Sequence, residues 1–417
     1  MLIQPTTVNN PQLITPAAAP LGVHQDGEAL RFNASGTSIT GTLVDLELPL
    51  TYSDDGSNFT DSWWYAARLT GQLGLRPTIR LRFVESFQTV KPSVHNAFWT
   101  YTPNDPASWQ LFENENYTGT HTVEVQRNDP FTQDEVYIAH YPIYYYTRMA
   151  SQVGEWMQSP YVGELSDTTN GVFDTFPQIT DPLDGRTIPQ LDAYGFKLTE
   201  GTGDKNIATF TTTCHANESL GTWAFEGAIE FLLSNDPQAQ SLRQNFEFYV
   251  WPTIDASGQY AGYYRSTPHQ DPPLLTMNRD WDVASVTPYA IHRSSFAANL
   301  PVGEVDVVVD WHCYNSTGSN GSRNFFYGTD NPLTQNFAST LQNYDSGAGA
   351  ELSIGTSQNT RRYLRDEYGT GANTTLGVTP ETSCLRNRGL ADWKQWGEWI
   401  CRAIEDRYQL GDFTYGP

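Results

Sequence analysis

The stretch Ile207-Ala208-Thr209-Phe210-Thr211-Thr212-Thr213-Cys214-His215-Ala216-Asn217-Glu218 decides how the chain is interpreted. Its first residues are apolar or β-branched and predict a buried strand, and the residues from about 219 to 233 predict a helix. His215 and Glu218 follow the strand and precede the helix, so both side chains can turn toward one ion. Catalytic zinc needs three N or O ligands and one open position for water. The stretch therefore predicts a metal site whose third ligand comes from another strand end.

His312 is the candidate for that third ligand. It follows a second apolar run, Val305-Asp306-Val307-Val308-Val309, at the point where the chain is expected to leave the sheet. An HxxE pair alone has a high chance rate, and a single histidine at a strand end is more often a satisfied core residue. Only the combination of two strand ends carries the metal hypothesis.

The patterns along the chain divide it into three segments. Residues 1–25 are rich in Pro, Ala, Thr and Asn and predict an extended lead-in. Residues 26–140 contain short alternating runs between turn residues, which predict an antiparallel β-sandwich. In residues 141–417 helix and strand patterns alternate, which predicts an α/β domain with a mainly parallel or mixed sheet. There we predict helices at about 146–158, 219–233 and 390–408, and strands at 207–211, 246–250 and 305–309.

The composition limits the classes of partner. The chain has 47 acidic and 24 basic residues and a formal charge of -23, which repels nucleic acid and anionic membrane. No apolar run approaches the roughly 20 residues of a membrane-spanning helix. We therefore expect a soluble protein with neither nucleic acid nor membrane as a partner. No signal peptide is visible, the composition favours a secreted or salt-adapted protein, and both the compartment and the oligomeric state stay open.

The four cysteines, Cys214, Cys313, Cys384 and Cys401, lack the CxxC spacing of a structural zinc site. They are too few for a disulfide scaffold in a chain of 417 residues. They allow one or two disulfides, and Cys384 with Cys401 is the first pair to test.

The surroundings of the ligand candidates resemble the zinc carboxypeptidases, in particular the cytosolic carboxypeptidase branch and its bacterial relatives. Matching stretches occur in order over about 130–405: Ile138-Ala139-His140-Tyr141-Pro142, Cys214-His215-Ala216-Asn217-Glu218, Trp251-Pro252, Tyr264-Arg265, Met277-Asn278-Arg279-Asp280-Trp281, Asp310-Trp311-His312 and Thr379-Pro380-Glu381. The resemblance implies the zinc carboxypeptidase fold, with a mixed sheet of the eight-stranded type flanked by helices. It also implies one Zn²⁺ per chain, held by His215, Glu218 and His312, and cytoplasmic relatives.

The same resemblance implies roles in catalysis. Glu381 corresponds to the general base. Arg265 corresponds to the arginine that polarises the scissile carbonyl. Asn278 and Arg279 correspond to the pair that grips the terminal carboxylate of the substrate, for which a guanidinium fork is suited.

Two further roles stay open between candidates. A flexible tyrosine near the substrate corresponds to Tyr363 or Tyr368. An arginine that lines the pocket for the departing side chain, and favours acidic residues, corresponds to one of Arg361, Arg362 and Arg365. The alternative for these three arginines is a solvated basic face.

The expected activity is zinc-dependent hydrolysis of the C-terminal peptide bond of peptides or proteins, with a preference for C-terminal Glu or Asp as the narrower version. One alternative is a zinc amidase acting on peptidoglycan or another non-peptide amide, which the pair Asn278 and Arg279 disfavours. Another is a catalytically inactive binding module, which the retention of the three ligands, the base and both arginine sites opposes.

Overall fold

The computed structural model describes residues 21–47, 64–82, 97–118, 122–269, 278, 281, 286–314, 324–352, 359–371, 373–383 and 389–413. Most of the expected lead-in, together with Arg279 and Cys384, lies outside these ranges. Among the helices in these ranges, none is long and apolar enough to cross a membrane.

The N-terminal part of the described chain is built from short strands in two five-stranded sheets, ordered β1-β4-β10-β6-β7 and β2-β3-β5-β9-β8. The strands are β1 (Gly22–His24), β2 (Asn33–Thr40), β3 (Leu43–Glu47), β4 (Ala66–Thr70), β5 (Thr78–Arg82), β6 (Phe98–Thr100), β7 (Gln110–Leu111), β8 (Asn114–Tyr117), β9 (Thr122–Gln126) and β10 (Val136–Ala139), with a 3₁₀ turn at Pro106–Ser108. Leu46 and Leu81 from one sheet share a hydrophobic cluster with Leu69 and Ile138 from the other. This follows from the alternation of side chains along each strand.

The prediction of a purely antiparallel arrangement in this part is wrong at one pair. β3 and β5 run parallel, with Leu43 opposite Thr78 and Glu47 opposite Arg82. The reason is the path of the chain: β4, which lies between them in sequence, belongs to the other sheet. The chain therefore crosses over and returns in the same direction, which no local sequence pattern encodes.

The remaining part of the chain alternates helices and strands. Its elements are α1 (Tyr146–Trp156), β11 (Val162–Gly163), β12 (Val172–Phe176), β13 (Ile179–Thr180), β14 (Thr187–Ile188), β15 (Leu191–Tyr194), β16 (Phe196–Leu198), β17 (Asn206–Thr212), α2 (Ser219–Leu233), α3 (Pro237–Asn245), β18 (Phe246–Trp251), α4 (Ala256–Ala261), α5 (Thr287–Asn299), β19 (Val305–Tyr314), β20 (Phe325–Gly328), α6 (Pro332–Leu341), β21 (Gly349–Leu352), α7 (Thr360–Tyr368), β22 (Leu376–Ser383) and α8 (Leu390–Gln409). The predicted helices and strands correspond to α1, α2, α8, β17, β18 and β19.

An eight-stranded mixed sheet, ordered β11-β16-β18-β17-β19-β22-β20-β21, forms the centre of this part. The four strands β18, β17, β19 and β22 are parallel neighbours, while β16 and β20 join them antiparallel. Every residue of β17 and β22 is buried, as expected for strands covered on both faces. The α/β fold with a mixed sheet is therefore confirmed. Parallel strands place their carboxyl ends at one edge, where binding sites form.

β19 is longer than predicted, because it continues from Val305 to Tyr314 instead of ending at Val309. Its pairing with β22 persists to the end, with His312 opposite Glu381 and Cys313 opposite Thr382. His312 thus lies inside the strand. The apolar run ends earlier than the ladder because Asp310 and His312 are polar residues that the sheet buries.

Candidate active site

Three side chains converge at the carboxyl edge of the parallel strands. Glu218 Oε1 lies 2.9 Å from His215 Nδ1, and Glu218 Oε2 lies 2.7 Å from His312 Nδ1. The potential ligand atoms of these three residues all lie within 4.8 Å of one another, and all three side chains are buried. Two imidazole nitrogens and a carboxylate oxygen are the donor set of a catalytic zinc site with one open position. The residues present therefore fit zinc.

The loop that carries His215 and Glu218 is fixed by buried hydrogen bonds. Thr213 has a φ of +61°, a left-handed conformation that β-branched residues rarely adopt, and its hydroxyl donates to the carbonyl of Pro252 at 3.3 Å. Asn217 Nδ2 donates to the carbonyls of Tyr263 at 2.6 Å and Gly258 at 3.2 Å. The strained turn is thus held from the adjacent segment, as expected where backbone strain serves a site.

Glu218 is held at the start of α2 by contacts with the neighbouring strand. It occupies the N-cap position of α2, yet its side chain makes no capping bond. Its Oε2 instead accepts a hydrogen bond from the backbone N–H of Cys313 at 2.9 Å. Helix and strand approach closely here, because a Cβ at Gly221 would lie 2.5 Å from the carbonyl of His312. The residue at 221 therefore has to be glycine for this approach.

The three ligand candidates shift one another's protonation. Burial opposes ionisation of Glu218, but the two histidines outweigh it and hold the pKa of Glu218 well below its ordinary value. Burial, with the charge of Arg265, lowers the pKa of His215 to about 3, which keeps a nitrogen lone pair available for a metal. Burial opposes the charging of His312, but the carboxylates of Asp310 and Glu218 raise its pKa. A carboxylate and a neutral imidazole are the forms that bind zinc, so the pKa shifts of Glu218 and His215 favour metal binding, whereas that of His312 opposes it.

Glu381 lies on β22 directly opposite His312 on β19. Burial, followed by the negative charge of Glu218, raises the pKa of Glu381 well above its ordinary value. Within the described residues, its Oε2 atom is buried without a hydrogen-bond partner. A buried carboxyl with a raised pKa beside a metal-ligand group has the properties of a general base or acid.

The structure places Arg265 and Asn278 at the same site. The charge of Arg265, which is half-buried, contributes to the lowered pKa of His215 and opposes the rise in the pKa of Glu381. Asn278 Oδ1 accepts the backbone N–H of Thr360 at 3.1 Å, and Asn278 Nδ2 lies 3.4 Å from His312 Nε2. The expected partner of Asn278, Arg279, falls outside the described residues.

The three clustered arginines of α7 have different surroundings. Arg361 is 2% exposed, and within the described residues its Nε and Nη1 atoms are buried without hydrogen-bond partners. Burial and the charges of Arg362 and Arg365 lower the pKa of Arg361 to about 10, while Asp310 and Glu381 act in the opposite direction. Arg365 is occupied by Asp366, at 2.7 Å from its Nε. A solvated basic face is therefore wrong for Arg361 and Arg362, which are both buried.

The two candidate tyrosines lie in a hydrophobic cluster beside the ligand group. Tyr363 stacks on Trp281 with 5.5 Å between ring centroids, and Tyr368 lies edge-on to Tyr363 at 6.4 Å. Both tyrosines are buried in this cluster. The choice between the two tyrosines stays a prediction.

The cysteine pair proposed first from the sequence does not form. Cys401 has a free thiol inside α8, with its sulfur 4.0 Å from the carbonyl oxygen of Ala228 on α2. Close packing of the two helices buries this residue as an apolar side chain. Cys214 lies beside the site, where Thr360 Oγ1 donates to its sulfur at 2.9 Å.

A second group of potential ligands, Cys214, Asp310 and His312, shares one histidine with the first. Burial, with the charge of Asp310, raises the pKa of the Cys214 thiol well above its ordinary value and so opposes formation of the thiolate that a metal would need there. His215, Glu218 and His312 need no thiolate and match the donor set of a catalytic zinc site. Asp310 and His312 are two positions apart on β19, so both side chains lie on one face of the strand. This motif is visible in the sequence, but no role for Asp310 was predicted from it.

The α/β fold and the convergent group of potential ligands are features that metallohydrolases share. Residues 168–363 match the zinc carboxypeptidase family. This match confirms the resemblance to the zinc carboxypeptidases seen in the sequence.

The curated relatives that match include cytosolic carboxypeptidases. Cytosolic carboxypeptidase 1 of Danio rerio is 26% identical over 324 residues, which cover 66% of this chain and 26% of the relative. Cytosolic carboxypeptidase 4 of Homo sapiens is 28% identical over 197 residues, covering 44% of this chain and 16% of the relative. The chain thus spans about a quarter or less of the length of these relatives.

Solved structures share the fold at low identity. The metallo-carboxypeptidase from Burkholderia cenocepacia superposes with a TM-score of 0.70 and 17% identity, covering 94% of this chain and 100% of that one. The metallo-carboxypeptidase from Pseudomonas aeruginosa gives a TM-score of 0.67 and 15% identity, covering 93% and 99%. At such identity the likeness concerns the fold alone.

Proposed function

We propose that this chain is a zinc-dependent metallocarboxypeptidase that hydrolyses the C-terminal peptide bond of peptides or proteins. The observation that carries the proposal is the convergence of His215, Glu218 and His312 beside Glu381, at the carboxyl edge of the parallel strands. These three residues would hold one zinc per chain. The chemistry that zinc supplies when bound is a water of lowered pKa and polarisation of the scissile carbonyl.

Glu381 moves the protons of this reaction. Its raised pKa brings the carboxyl group closer to operating pH, so that Oε2 can accept a proton from the attacking water and later donate it to the leaving amine. Arg265 donates to the carbonyl oxygen on which negative charge develops. Its half-buried charge already acts on His215 and Glu381, which supports a position beside the scissile bond.

Recognition of a free C-terminus is assigned to Asn278 and Arg279. The side-chain oxygen of Asn278 is engaged by Thr360, which fixes the orientation of the amide and leaves Nδ2 as the donor facing the site. A planar guanidinium at 279 would pair with the terminal carboxylate in a bidentate manner. This pair makes the enzyme an exopeptidase.

The narrower proposal is a preference for C-terminal Glu or Asp, with Arg361 as the pocket cation. The aliphatic part of the Arg361 side chain packs over Gly377 of β22, where its Cγ would lie 3.5 Å from an added Cβ. The charges of Asp310 and Glu381 both act on its guanidinium. A buried cation with open donors is costly unless an anion pairs with it. An acidic substrate side chain satisfies that demand by charge-assisted hydrogen bonds.

The N-terminal sheets are assigned to a separate β-sandwich domain over residues 26–140, followed by the catalytic domain over 141–417. The hydrophobic cluster that joins Leu46 and Leu81 to Leu69 and Ile138 supports this division, because two sheets that share a core form a sandwich.

The direct test of the proposed function combines metal analysis with a matched pair of peptides. We expect about one zinc per chain, loss of activity on chelation and recovery when zinc is added back. A peptide with a free C-terminus should be cleaved, and the same peptide with a C-terminal amide should not. Equal rates on both would favour the amidase alternative, and zinc-loaded protein inert on a broad C-terminal peptide library would favour the binding module.

A further inference from the structure

The Nε2 nitrogen of His312 faces a buried carboxylate that has no role in the proposed reaction. Asp310 Oδ2 lies 2.9 Å from His312 Nε2, on the ring side opposite the nitrogen that faces Glu218. The two residues are separated by one position on β19, so their side chains project from the same face. Asp310 is fully buried.

The second oxygen of Asp310 is fixed by the neighbouring strand. Thr211 Oγ1 donates to Asp310 Oδ1 at 2.8 Å, and Thr211 and Asp310 are opposite each other in the parallel pairing of β17 with β19. The carboxylate is thus anchored on one side by a hydroxyl and directed on the other side toward the imidazole. A buried carboxylate persists only when its oxygens are hydrogen-bonded or paired.

The hydrogen-bond chemistry determines which nitrogen of His312 carries a proton. Asp310 is an acceptor, and the other group near Nε2 is the Nδ2 amide of Asn278 at 3.4 Å, which is a donor. A bare Nε2 would place its lone pair against the carboxylate, so the proton resides on Nε2 and points to Asp310. Nδ1 also faces a carboxylate, Glu218 Oε2 at 2.7 Å, and because Glu218 is itself a candidate ligand, Nδ1 is the nitrogen that would give up its proton and bind a metal.

We propose that Asp310 is a positioning residue for the zinc site: it selects the tautomer and fixes the ring plane of His312, and Thr211 orients it. Outer carboxylates of this kind raise the basicity of a ligating histidine, and their loss typically weakens metal binding by about 10- to 100-fold. The proposal rests on the proposed zinc site but not on the identity of the substrate.

The test measures the zinc dissociation constant by competition with a chelator of known affinity. We expect Asp310→Ala to weaken zinc binding by about 10- to 100-fold, Asp310→Asn by less because its amide oxygen can still accept from Nε2, and Thr211→Val by a few-fold. Histidine ¹⁵N shifts of the zinc-loaded protein should show a protonated Nε2 on His312, with that resonance displaced in Asp310→Ala.

The matched control is Asp306→Asn. Asp306 lies on the same strand, is buried, and accepts the backbone N–H of Ile207 on the same neighbouring strand at 2.9 Å. Because Asp306 stands away from the ligands, zinc affinity should not change in this variant. A structural role shared by buried carboxylates of β19 would lower the affinity in both.

Each outcome distinguishes the proposal from the function on which it rests. Zinc affinity in Asp310→Ala and Asp310→Asn equal to that of the unaltered protein would overturn the positioning role and leave the zinc enzyme standing. Absence of zinc binding in the unaltered protein would overturn the zinc site itself. If the Asp310 variants do not fold, Thr211→Val decides: a weaker zinc affinity supports the proposal, and an unchanged one with an unchanged His312 resonance contradicts it.

Discussion

At the scale of single residues, the site separates groups that hold a metal from groups that do chemistry. Glu218 is kept ionised by two histidines, whereas Glu381 is pushed toward the neutral acid by burial and by the charge of Glu218. Two carboxyl groups near each other thus have pKa values displaced in opposite directions. Such a division is the usual signature of distinct acid–base assignments within one site.

The first prediction is that Glu381→Gln keeps the zinc and loses turnover. The substitution preserves shape and leaves the three ligands untouched but removes the proton acceptor, so kcat should fall by about 100- to 10,000-fold. Zinc content and kcat are measured on the same preparation. Near-normal turnover in the variant would show that Glu381 is not the base.

The second prediction concerns Arg361 and is expressed as a ratio of kcat/KM for C-terminal Glu over C-terminal Leu. Arg361→Ala should lower this ratio by about 10- to 100-fold, because a hydrogen bond to a charged group contributes about 1.5 to 3 kcal/mol. A change at Asp310 or Glu381 that slows both substrates equally cancels in this ratio. Arg365→Ala is the comparator on the same helix, and its ratio should stay unchanged because Asp366 already occupies that guanidinium.

If a different residue recognises the acidic side chain, the kcat/KM ratios of the variants change in another way. If the ratio falls in Arg365→Ala and not in Arg361→Ala, the pocket cation is Arg365. If the unaltered enzyme prefers aromatic or basic C-terminal residues, the acidic preference is wrong while the carboxypeptidase assignment stands.

At the scale of elements, the strand-to-helix junction could be read from the sequence because its signals are local. The apolar run of β17, the HxxE spacing and the helical pattern after Glu218 all lie within one short stretch. Burial of Arg361 could not be read in this way, because three clustered arginines have the pattern of an exposed face. It is the packing of α7 against β22 that buries the first of them. The parallel pairing of β3 with β5 could not be predicted from the sequence either, because it depends on a crossover through the other sheet.

The third prediction is that position 221 must be glycine for α2 and β19 to pack as closely as they do. A Cβ there would lie 2.5 Å from backbone atoms of His312, so Gly221→Ala must push the helix that carries Glu218 away from the strand that carries His312. We expect a loss of stability of about 1 to 3 kcal/mol, typical of overpacking, together with weaker zinc binding. Urea unfolding and chelator competition measure the two effects.

Gly154→Ala is the control for the intrinsic effect of replacing a helical glycine. Gly154 lies in α1, is exposed, and has open space where a Cβ would be placed. Alanine is favoured over glycine inside a helix, so this variant should gain about 0.5 to 1 kcal/mol with unchanged zinc affinity. A gain of similar size in Gly221→Ala would contradict the steric argument.

At the scale of the whole molecule, the N-terminal sheets are connected to the ligand loop through buried contacts. Arg31, which precedes β2, donates from Nε to the carbonyl of Ala261 at 3.0 Å, pairs with Asp181, and lies over the ring of Tyr263 at 4.2 Å. Tyr263 donates its hydroxyl to Asp181 at 2.8 Å, and its carbonyl accepts from Asn217 between the ligands His215 and Glu218. One buried network thus joins the N-terminal part to the site.

The last prediction is that Arg31→Ala affects both global stability and zinc binding, whereas Arg68→Ala affects neither. Arg31 is 3% exposed, and its removal breaks a buried ion pair of Asp181, which keeps a contact with Arg186 at 3.5 Å and the hydrogen bond from Tyr263, so the expected cost is about 1 to 3 kcal/mol. Arg68 lies on β4 of the same N-terminal part, but its partners Asp26 and Glu135 are exposed, so its loss should cost less than about 1 kcal/mol. Because Tyr263 loses its ring contact in Arg31→Ala, the carbonyl that holds Asn217 becomes less fixed, and the zinc dissociation constant of the folded fraction should rise.

Urea unfolding gives the stability, and chelator competition well below the unfolding midpoint gives the zinc affinity. A destabilised Arg31→Ala with unchanged zinc affinity would confine the network to holding the two parts of the chain together, and equal stability of the Arg31 and Arg68 variants would contradict the network altogether.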